Sequence, residues 1–217
     1  MNCNVIATGS RGNAVILNGS ILIDCGVPYK KLEPYVKDLR LVLLTHIHGD
    51  HFNLTTIRRL SEERPTLRFG CCEWLVAPLV EVGIPPKQID VYGVGKIYGY
   101  YLGELVIETV PLTHDVENCG YKLWHCGESA IYATDTFTMD GIEAKDFNLY
   151  MIEANYTEDE MAERINRKLE AGEYVYEYRA AAGHLSRKKP INGLQPTPHR
   201  AKVRSFSCTG MKKGINP

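Results

Sequence analysis

The chain has 217 residues, enough for a single domain with a substantial core, and its formal net charge is −1. This balance gives no global electrostatic reason to bind nucleic acid, so such binding would need a local basic patch. No apolar run approaches a membrane span, and the amino terminus does not resemble a signal peptide. Seven cysteines without paired metal spacing indicate reduced thiols, so we expect a cytoplasmic protein with no membrane partner.

The amino-terminal part of the chain predicts a small antiparallel sheet. Apolar runs at 5–8, 14–17 and 21–23 have the length and composition of short strands. Asn18-Gly19, between the second and third runs, is a typical two-residue hairpin turn. The segment 9–13, which reads Gly-Ser-Arg-Gly-Asn, predicts a tight loop between the first two strands.

Asp24 directly follows the third predicted strand. A carboxylate placed after three aliphatic residues is costly to bury unless it is paired. Asp24 is therefore either the partner of other buried polar groups or a plain turn residue before Cys25-Gly26. We favour the paired role.

Four potential metal ligands, His46, His48, Asp50 and His51, lie within six residues after the aliphatic run 41–44. That run predicts a strand buried on both faces, and a helix is predicted after the motif. His46 and His48, two residues apart in an extended segment, can point their rings in the same direction. Gly49 permits a sharp backbone turn, which places Asp50 and His51 on the first helical turn. Imidazoles with a carboxylate suit zinc, and their spacing indicates two half-sites. The alternative is a histidine-rich surface turn that binds nothing.

Much of the remaining chain is predicted to form strands and helices that support the fold. A short strand at 67–69, a helix at 74–80 and a tyrosine-rich hairpin at 96–105 follow the motif helix. The hairpin tyrosines could form a base-stacking platform, although tyrosines in strands more often serve packing. A buried strand at 149–153 precedes a helix whose apolar face extends to Leu169.

Two further candidate ligands stand at the ends of predicted strands, as Asp24 does. His114 follows the strand 105–110, and Asp135 follows the strand 130–134. Such a repetition indicates that these side chains meet at one edge of a sheet. His125 lies within a hairpin and has no partner in sequence, so we interpret it as structural.

The pattern His-x-His-x-Asp-His at 46–51 resembles the signature of the metallo-β-lactamase-fold hydrolases. The resemblance implies an α/β fold, a four-layer αββα sandwich with its metal site along one edge. It also implies two divalent metal ions, Zn²⁺ with Mn²⁺ as the alternative. By the same resemblance, His46, His48 and His114 hold the first ion, Asp50 and His51 hold the second, Asp135 touches both, and Asp24 orients ligands.

Two further segments resemble the small bacterial and phage nuclease-like branch of this family. They are the loop 9–13 and the Gly-His-Leu-Ser step 183–186. The resemblance implies a phosphodiesterase or nuclease acting on nucleic acid or a small phosphodiester. It gives Asp50 the role of orienting the water nucleophile and His184 that of protonating the leaving oxygen. From the residues alone, the loop is equally a plain glycine turn, and His184 could cap the following segment.

The carboxyl-terminal end departs from the family pattern, which expects a last strand ending in a histidine that completes the second metal site. The candidate strand 203–208 has no histidine at its end, and the surrounding sequence is rich in turns and basic residues. We therefore expect a domain at 1–193 and an atypical tail at 194–217, with an incomplete carboxyl-terminal end. The missing ligand would be Cys208, His184, His199 or water, and the second ion would bind more weakly.

The competing hypothesis is a metal-binding remnant with little or no catalytic activity, because its last ligand is missing. A redox relative that binds iron is a third option. Redox members of the family typically carry glutamate where His48 stands, and that substitution is absent here.

Overall fold

The computed structural model describes residues 1–100, 105–153, 158–171 and 202–206, which form two six-stranded sheets. The first sheet has the order β1-β2-β3-β4-β5-β6, with β1 Cys3–Ala7, β2 Ala14–Leu17, β3 Ile21–Ile23, β4 Leu41–Leu43, β5 Arg68–Cys72 and β6 Ile89–Tyr92. The second has the order β12-β11-β10-β9-β8-β7, with β7 Ile97–Tyr100, β8 Leu105–Leu112, β9 Asn118–His125, β10 Glu128–Ala133, β11 Leu149–Glu153 and β12 Lys202–Phe206. The α-helices are α1 Tyr29–Leu32, α2 Leu54–Glu63, α3 Val76–Glu81 and α4 Glu158–Glu170.

Strand direction in the first sheet follows from the connections. The antiparallel strands β1, β2 and β3 are joined by short links, and Asn18 and Gly19 adopt positive φ angles of 48° and 71°, as the predicted hairpin turn requires. The strands β3 to β6 are parallel, and helices α1, α2 and α3 lie in the crossovers between them. The carboxyl ends of these four strands therefore meet at one edge.

The aliphatic run after α1 is buried on both faces, as its sequence predicts. Leu41 and Leu43 pack in the core between the two sheets, together with residues of the second sheet such as Tyr121. Val42 and Leu44 point the other way, into the core that the first sheet forms with its helices. This alternation makes β4 the centre of two hydrophobic layers.

The second sheet also packs on both faces. Tyr132 of β10 faces the inter-sheet core, whereas its neighbours Ile131 and Ala133 face an outer cluster that contains Met139 and Phe147. The crossover from β11 to the parallel strand β12 contains α4. These layers confirm the predicted α/β sandwich.

Three details differ from the predictions. The strand predicted at 105–110 continues to Leu112. The apolar face predicted for α4 is shorter, because Met161 is buried but Leu169 is 56% exposed. The helix α2 begins only at Leu54, because Asn53 caps it by accepting a hydrogen bond from the backbone of Thr56.

The last described strand lies within the segment predicted as a tail. Lys202–Phe206 pairs in parallel with β11, close to the strand predicted at 203–208. Most of the segment 194–217 lies outside the described residues, so its separation from the domain at residue 193 stays a prediction. Among the helices that the structure describes, none has the length and apolarity needed to cross a membrane.

The described cysteines differ sharply in exposure. Cys126 is exposed, at the turn between β9 and β10, whereas Cys25 and Cys71 are buried. Burial raises the pKa of the Cys71 thiol to about 12 and raises that of Cys25 further. The reactive thiolate is therefore scarce at these two positions in the folded protein.

We predict that iodoacetamide under native conditions modifies Cys126 well before Cys25 or Cys71. Peptide mapping by mass spectrometry follows each site separately, and denaturant should make all three sites reactive. The Cys126→Ser variant is the matched control. Native labelling of Cys71 at the rate of Cys126 would contradict the described packing.

Candidate metal centre

Strand ends from both sheets bring the candidate ligands to one rim of the sandwich. In the first sheet, Asp24 follows β3 and His46 lies just after β4. In the second sheet, β8 and β10 run in the same direction because each is antiparallel to β9, and they are followed by His114 and Asp135. The residues are therefore distant in sequence but adjacent in space.

The potential ligand atoms form two groups, within each of which all of them lie within 4.8 Å of one another. The first group is His46, His48 and His114, and the second is His46, His51 and Asp135. Asp135 Oδ2 lies 2.5 Å from His51 Nε2 and 3.5 Å from His46 Nε2. The structure thus brings together five of the six residues predicted as ligands.

Asp50, the sixth, lies at the rim and belongs to neither group. Its Oδ2 lies 3.9 Å from His51 Nε2, and its side chain is 32% exposed. Both Asp50 and His51 precede helix α2, so the prediction that they stand on its first turn is wrong. The predicted proton donor His184 lies outside the described residues, together with the candidate replacement ligands Cys208 and His199.

Asp24 is fully buried and is paired, as favoured from the sequence. Its Oδ1 accepts hydrogen bonds from the backbone N–H of Thr45 at 3.1 Å and from its hydroxyl at 2.9 Å. Its Oδ2 accepts from the Tyr132 hydroxyl at 2.8 Å and from His51 Nδ1 at 2.7 Å. Four donors thus stabilise one buried carboxylate, and that carboxylate fixes the orientation of the His51 ring.

Thr45 extends this network to His46. Because the Thr45 hydroxyl gives its proton to Asp24, its oxygen accepts from His46 Nδ1 at 2.9 Å. Burial lowers the pKa of His46 to about 2, so the ring is neutral. His46 Nε2 therefore carries a lone pair, and this buried atom has no hydrogen-bond partner among the described residues. An unpaired imidazole lone pair among other imidazoles and a carboxylate fits a divalent metal ion such as zinc.

The surroundings of His51 favour positive charge. Burial by itself lowers the pKa of this imidazole, but the carboxylates of Asp24 and Asp135 outweigh burial and raise its pKa well above the usual value. Asn13 Nδ2 lies 2.8 Å from His51 Nε2, which places the end of the loop 9–13 against the same nitrogen. The carboxylates of Asp24 and Asp135 beside the buried His51 ring therefore favour positive charge at this point.

Several residues near the centre were not identified from the sequence. Asp115 Oδ1 lies 3.2 Å from His114 Nε2 and 3.5 Å from His48 Nε2. Glu153, at the end of β11, accepts a hydrogen bond from the backbone N–H of Asp135 at 2.5 Å. The position of Asp115 beside a candidate ligand was a usable signal, whereas nothing in the local sequence of Glu153 links it to Asp135.

Gly26, rather than Gly49 of the motif, is the glycine that the backbone of the centre requires. A Cβ on Gly26 would lie 1.7 Å from the carbonyl oxygen of Asp50, because the two backbone segments are in contact. Gly49 has no positive φ, and a Cβ there would meet nothing within 4 Å. The chain turns at Gly49 as expected, but the turn does not require glycine, since any residue could adopt this conformation.

Comparison with known sequences gives one family and one curated relative. A family model described as the beta-lactamase superfamily domain matches residues 20–200. Exodeoxyribonuclease YycJ of Bacillus anthracis is 22% identical over 174 residues, which cover 72% of this chain and 63% of that protein. The chain therefore spans less than two thirds of the length of this relative.

Solved structures show the same fold at low sequence identity. The metallo-beta-lactamase fold protein YhfI of Bacillus subtilis has a TM-score of 0.62 and 17% identity, covering 85% of this chain and 76% of that one. The short form of human tRNase Z has a TM-score of 0.54 and 16% identity, covering 91% and 96%. These likenesses establish the fold and nothing finer.

We predict that Gly26→Ala destabilises the protein by at least about 2 kcal/mol, because the added methyl group must separate the two backbone segments. Gly49→Ala, the matched control from the motif itself, should leave the free energy of unfolding within about 0.5 kcal/mol of the parent. Urea unfolding followed by circular dichroism measures both. Equal effects of the two substitutions would contradict the close approach at Gly26.

We further predict that Thr45→Val weakens Zn²⁺ binding by about tenfold to a hundredfold, because His46 loses the acceptor that orients its ring. Competition with a chromogenic chelator measures the affinity without any catalytic readout. Thr55→Val, on the exposed side of α2, is the control and should bind Zn²⁺ as the parent does. Unchanged affinity in Thr45→Val would show that the hydroxyl does not orient the ring.

Proposed function

The chain belongs to the beta-lactamase superfamily, and from this premise we propose that it is a metal-dependent hydrolase that cleaves phosphodiester bonds with two divalent ions. Zn²⁺ is the proposed metal, and Mn²⁺ is the alternative. The observation that carries the proposal is the pair of ligand groups that share His46, with Asp135 facing both His46 and His51. Four imidazoles and a carboxylate form a donor set suited to these ions.

When bound, two such ions supply Lewis acidity, which lowers the pKa of water and stabilises negative charge on the phosphoryl oxygens. The side chains of the candidate centre would position these ions and the attacking water. His46, His48 and His114 are proposed to bind one ion, and His51 and Asp50 the other, with Asp135 between them. Asp50 is partly exposed at the rim, so its carboxylate can accept a hydrogen bond from the attacking water and orient it. His184 remains the proposed donor of a proton to the leaving oxygen.

Two observations support a phosphodiester substrate. YycJ is named an exodeoxyribonuclease and the human neighbour is named a tRNase, so two similar proteins act on nucleic acids by name. The loop 9–13, which resembles a loop of the nuclease-like branch, lies against the candidate centre through the contact of Asn13 with His51. That contact favours a functional role for the loop over a plain glycine turn.

A metal-binding remnant with little or no activity is the second candidate function. One observation favours it: the sequence after β12 reads Ser207-Cys208, with no histidine where the family places its last ligand. The second ion would then depend on fewer protein ligands and bind more weakly.

Metal content and turnover together separate these functions. We predict two equivalents of Zn²⁺ by mass spectrometry of the purified protein, and hydrolysis of bis(p-nitrophenyl) phosphate. His48→Ala should reduce turnover by more than about a hundredfold, since loss of groups that merely orient ligands already costs up to that much. His125→Ala is the control, because His125 contacts Asn18 at the hairpin turns and not the centre. One bound ion and no turnover would favour the remnant.

A further inference from the structure

A cavity of about 550 Å³ lies beside the candidate metal centre, at the carboxyl ends of β5 and β6. This volume is within the range of small-molecule binding sites. The proposed function uses none of the residues that line the cavity. Those that matter here are Glu73, Trp74, Tyr92, Gly93, Val94 and Glu117.

Two walls of the cavity are built from segments that also build the metal centre. Trp74 Nε1 donates a hydrogen bond at 3.2 Å to the carbonyl oxygen of Thr45, the residue before His46. Glu117 lies two residues after Asp115, which contacts both His48 and His114. The cavity wall and the metal centre are therefore connected by direct contact at Thr45 and by the short segment from His114 to Glu117.

The chemistry of the walls excludes a phosphate group. The charged side chains that line the cavity are the carboxylates of Glu73 and Glu117, and both are exposed. Among the described residues, neither has an ion-pair or hydrogen-bond partner. Two free carboxylates repel a phosphate and accept hydrogen bonds from N–H groups. The cavity therefore favours a group that carries N–H donors and no negative charge.

The wall also offers an aromatic surface. Trp74 is half-buried, and the hydrogen bond to Thr45 fixes its indole ring. Val94 adds an exposed apolar side chain, and Tyr92 contributes a buried ring whose hydroxyl has no hydrogen-bond partner among the described residues. Nucleobases combine a planar π-face with N–H donors, and they stack on aromatic side chains when they are unpaired.

We propose that this cavity binds an unpaired nucleobase adjacent to the scissile phosphodiester, with Trp74 as the stacking surface and Glu117 as an acceptor of base N–H groups. The proposal rests on the function proposed above and names its substrate class, a single-stranded nucleic acid. Cytosine, adenine and guanine present amino groups to a carboxylate, as in the pairing of glutamate with cytosine N4. Thymine has one N–H between two carbonyl oxygens, which the carboxylates repel, so it should bind worst.

Kinetics with three chromogenic esters test the cavity. They are the 5′-(p-nitrophenyl) phosphates of deoxycytidine and thymidine, and methyl p-nitrophenyl phosphate, which has no base. Trp74→Ala should lower kcat/KM for the deoxycytidine ester about tenfold more than kcat/KM for the methyl ester. Trp74→Phe should restore most of the loss, and Glu117→Gln should reduce the preference for cytosine over thymine. Glu62→Gln, an exposed change on α2, is the control.

Binding separates failure of the cavity from failure of the proposed function. Fluorescence anisotropy with labelled hexamers of deoxycytidylate and thymidylate needs no turnover, and metal content shows whether each variant keeps its centre. Base-dependent binding that is lost in Trp74→Ala supports the cavity even if no ester is hydrolysed. Hydrolysis in which Trp74→Ala and Glu117→Gln change nothing, or change the methyl ester equally, overturns it.

Discussion

The rest of the candidate centre depends on one buried carboxylate. Asp24 has no exposed surface, and the groups that stabilise it are Thr45, Tyr132 and His51. It fixes the orientation of His51 directly and that of His46 indirectly, through the Thr45 hydroxyl. His51 belongs to the second ligand group, and His46 belongs to both. The cost of burying the charge is offset by these four hydrogen bonds, and the result is a pair of imidazole rings with fixed orientations.

This arrangement also makes the centre favourable for a bound cation. Asp24 and Asp135 place two negative charges around His51, while burial keeps His46 neutral. Positive charge from a proton on His51 balances these carboxylates only in part, and His46 Nε2 contributes an unpartnered lone pair. A rigid set of donors with net negative charge is organised before an ion arrives, which lowers the cost of binding it.

The position of the centre follows from chain topology. Parallel strands in the first sheet, and the shared direction of β8 and β10 in the second, bring strand ends to one rim. The close backbone contact between Gly26 and Asp50 then holds the motif 46–51 against the end of β3. The neighbouring cavity uses the ends of β5 and β6 on the same rim, so cleavage and base recognition would share one edge of the sandwich.

The sequence by itself determined the strand buried on both faces and the candidate ligands, five of which the structure brings together, because burial periodicity and the strand-end positions of polar groups are local signals. The fold class followed from the family resemblance of the motif 46–51. Tertiary structure decided the rest. Asp24 contacts His51 directly and His46 through Thr45, Glu153 accepts a hydrogen bond from the backbone of Asp135, and Gly26 rather than Gly49 must be glycine. All of these depend on contacts between segments far apart in the chain. A local sequence pattern contains no information about the distance between two strands. Only the tertiary packing could therefore show that these groups lie together.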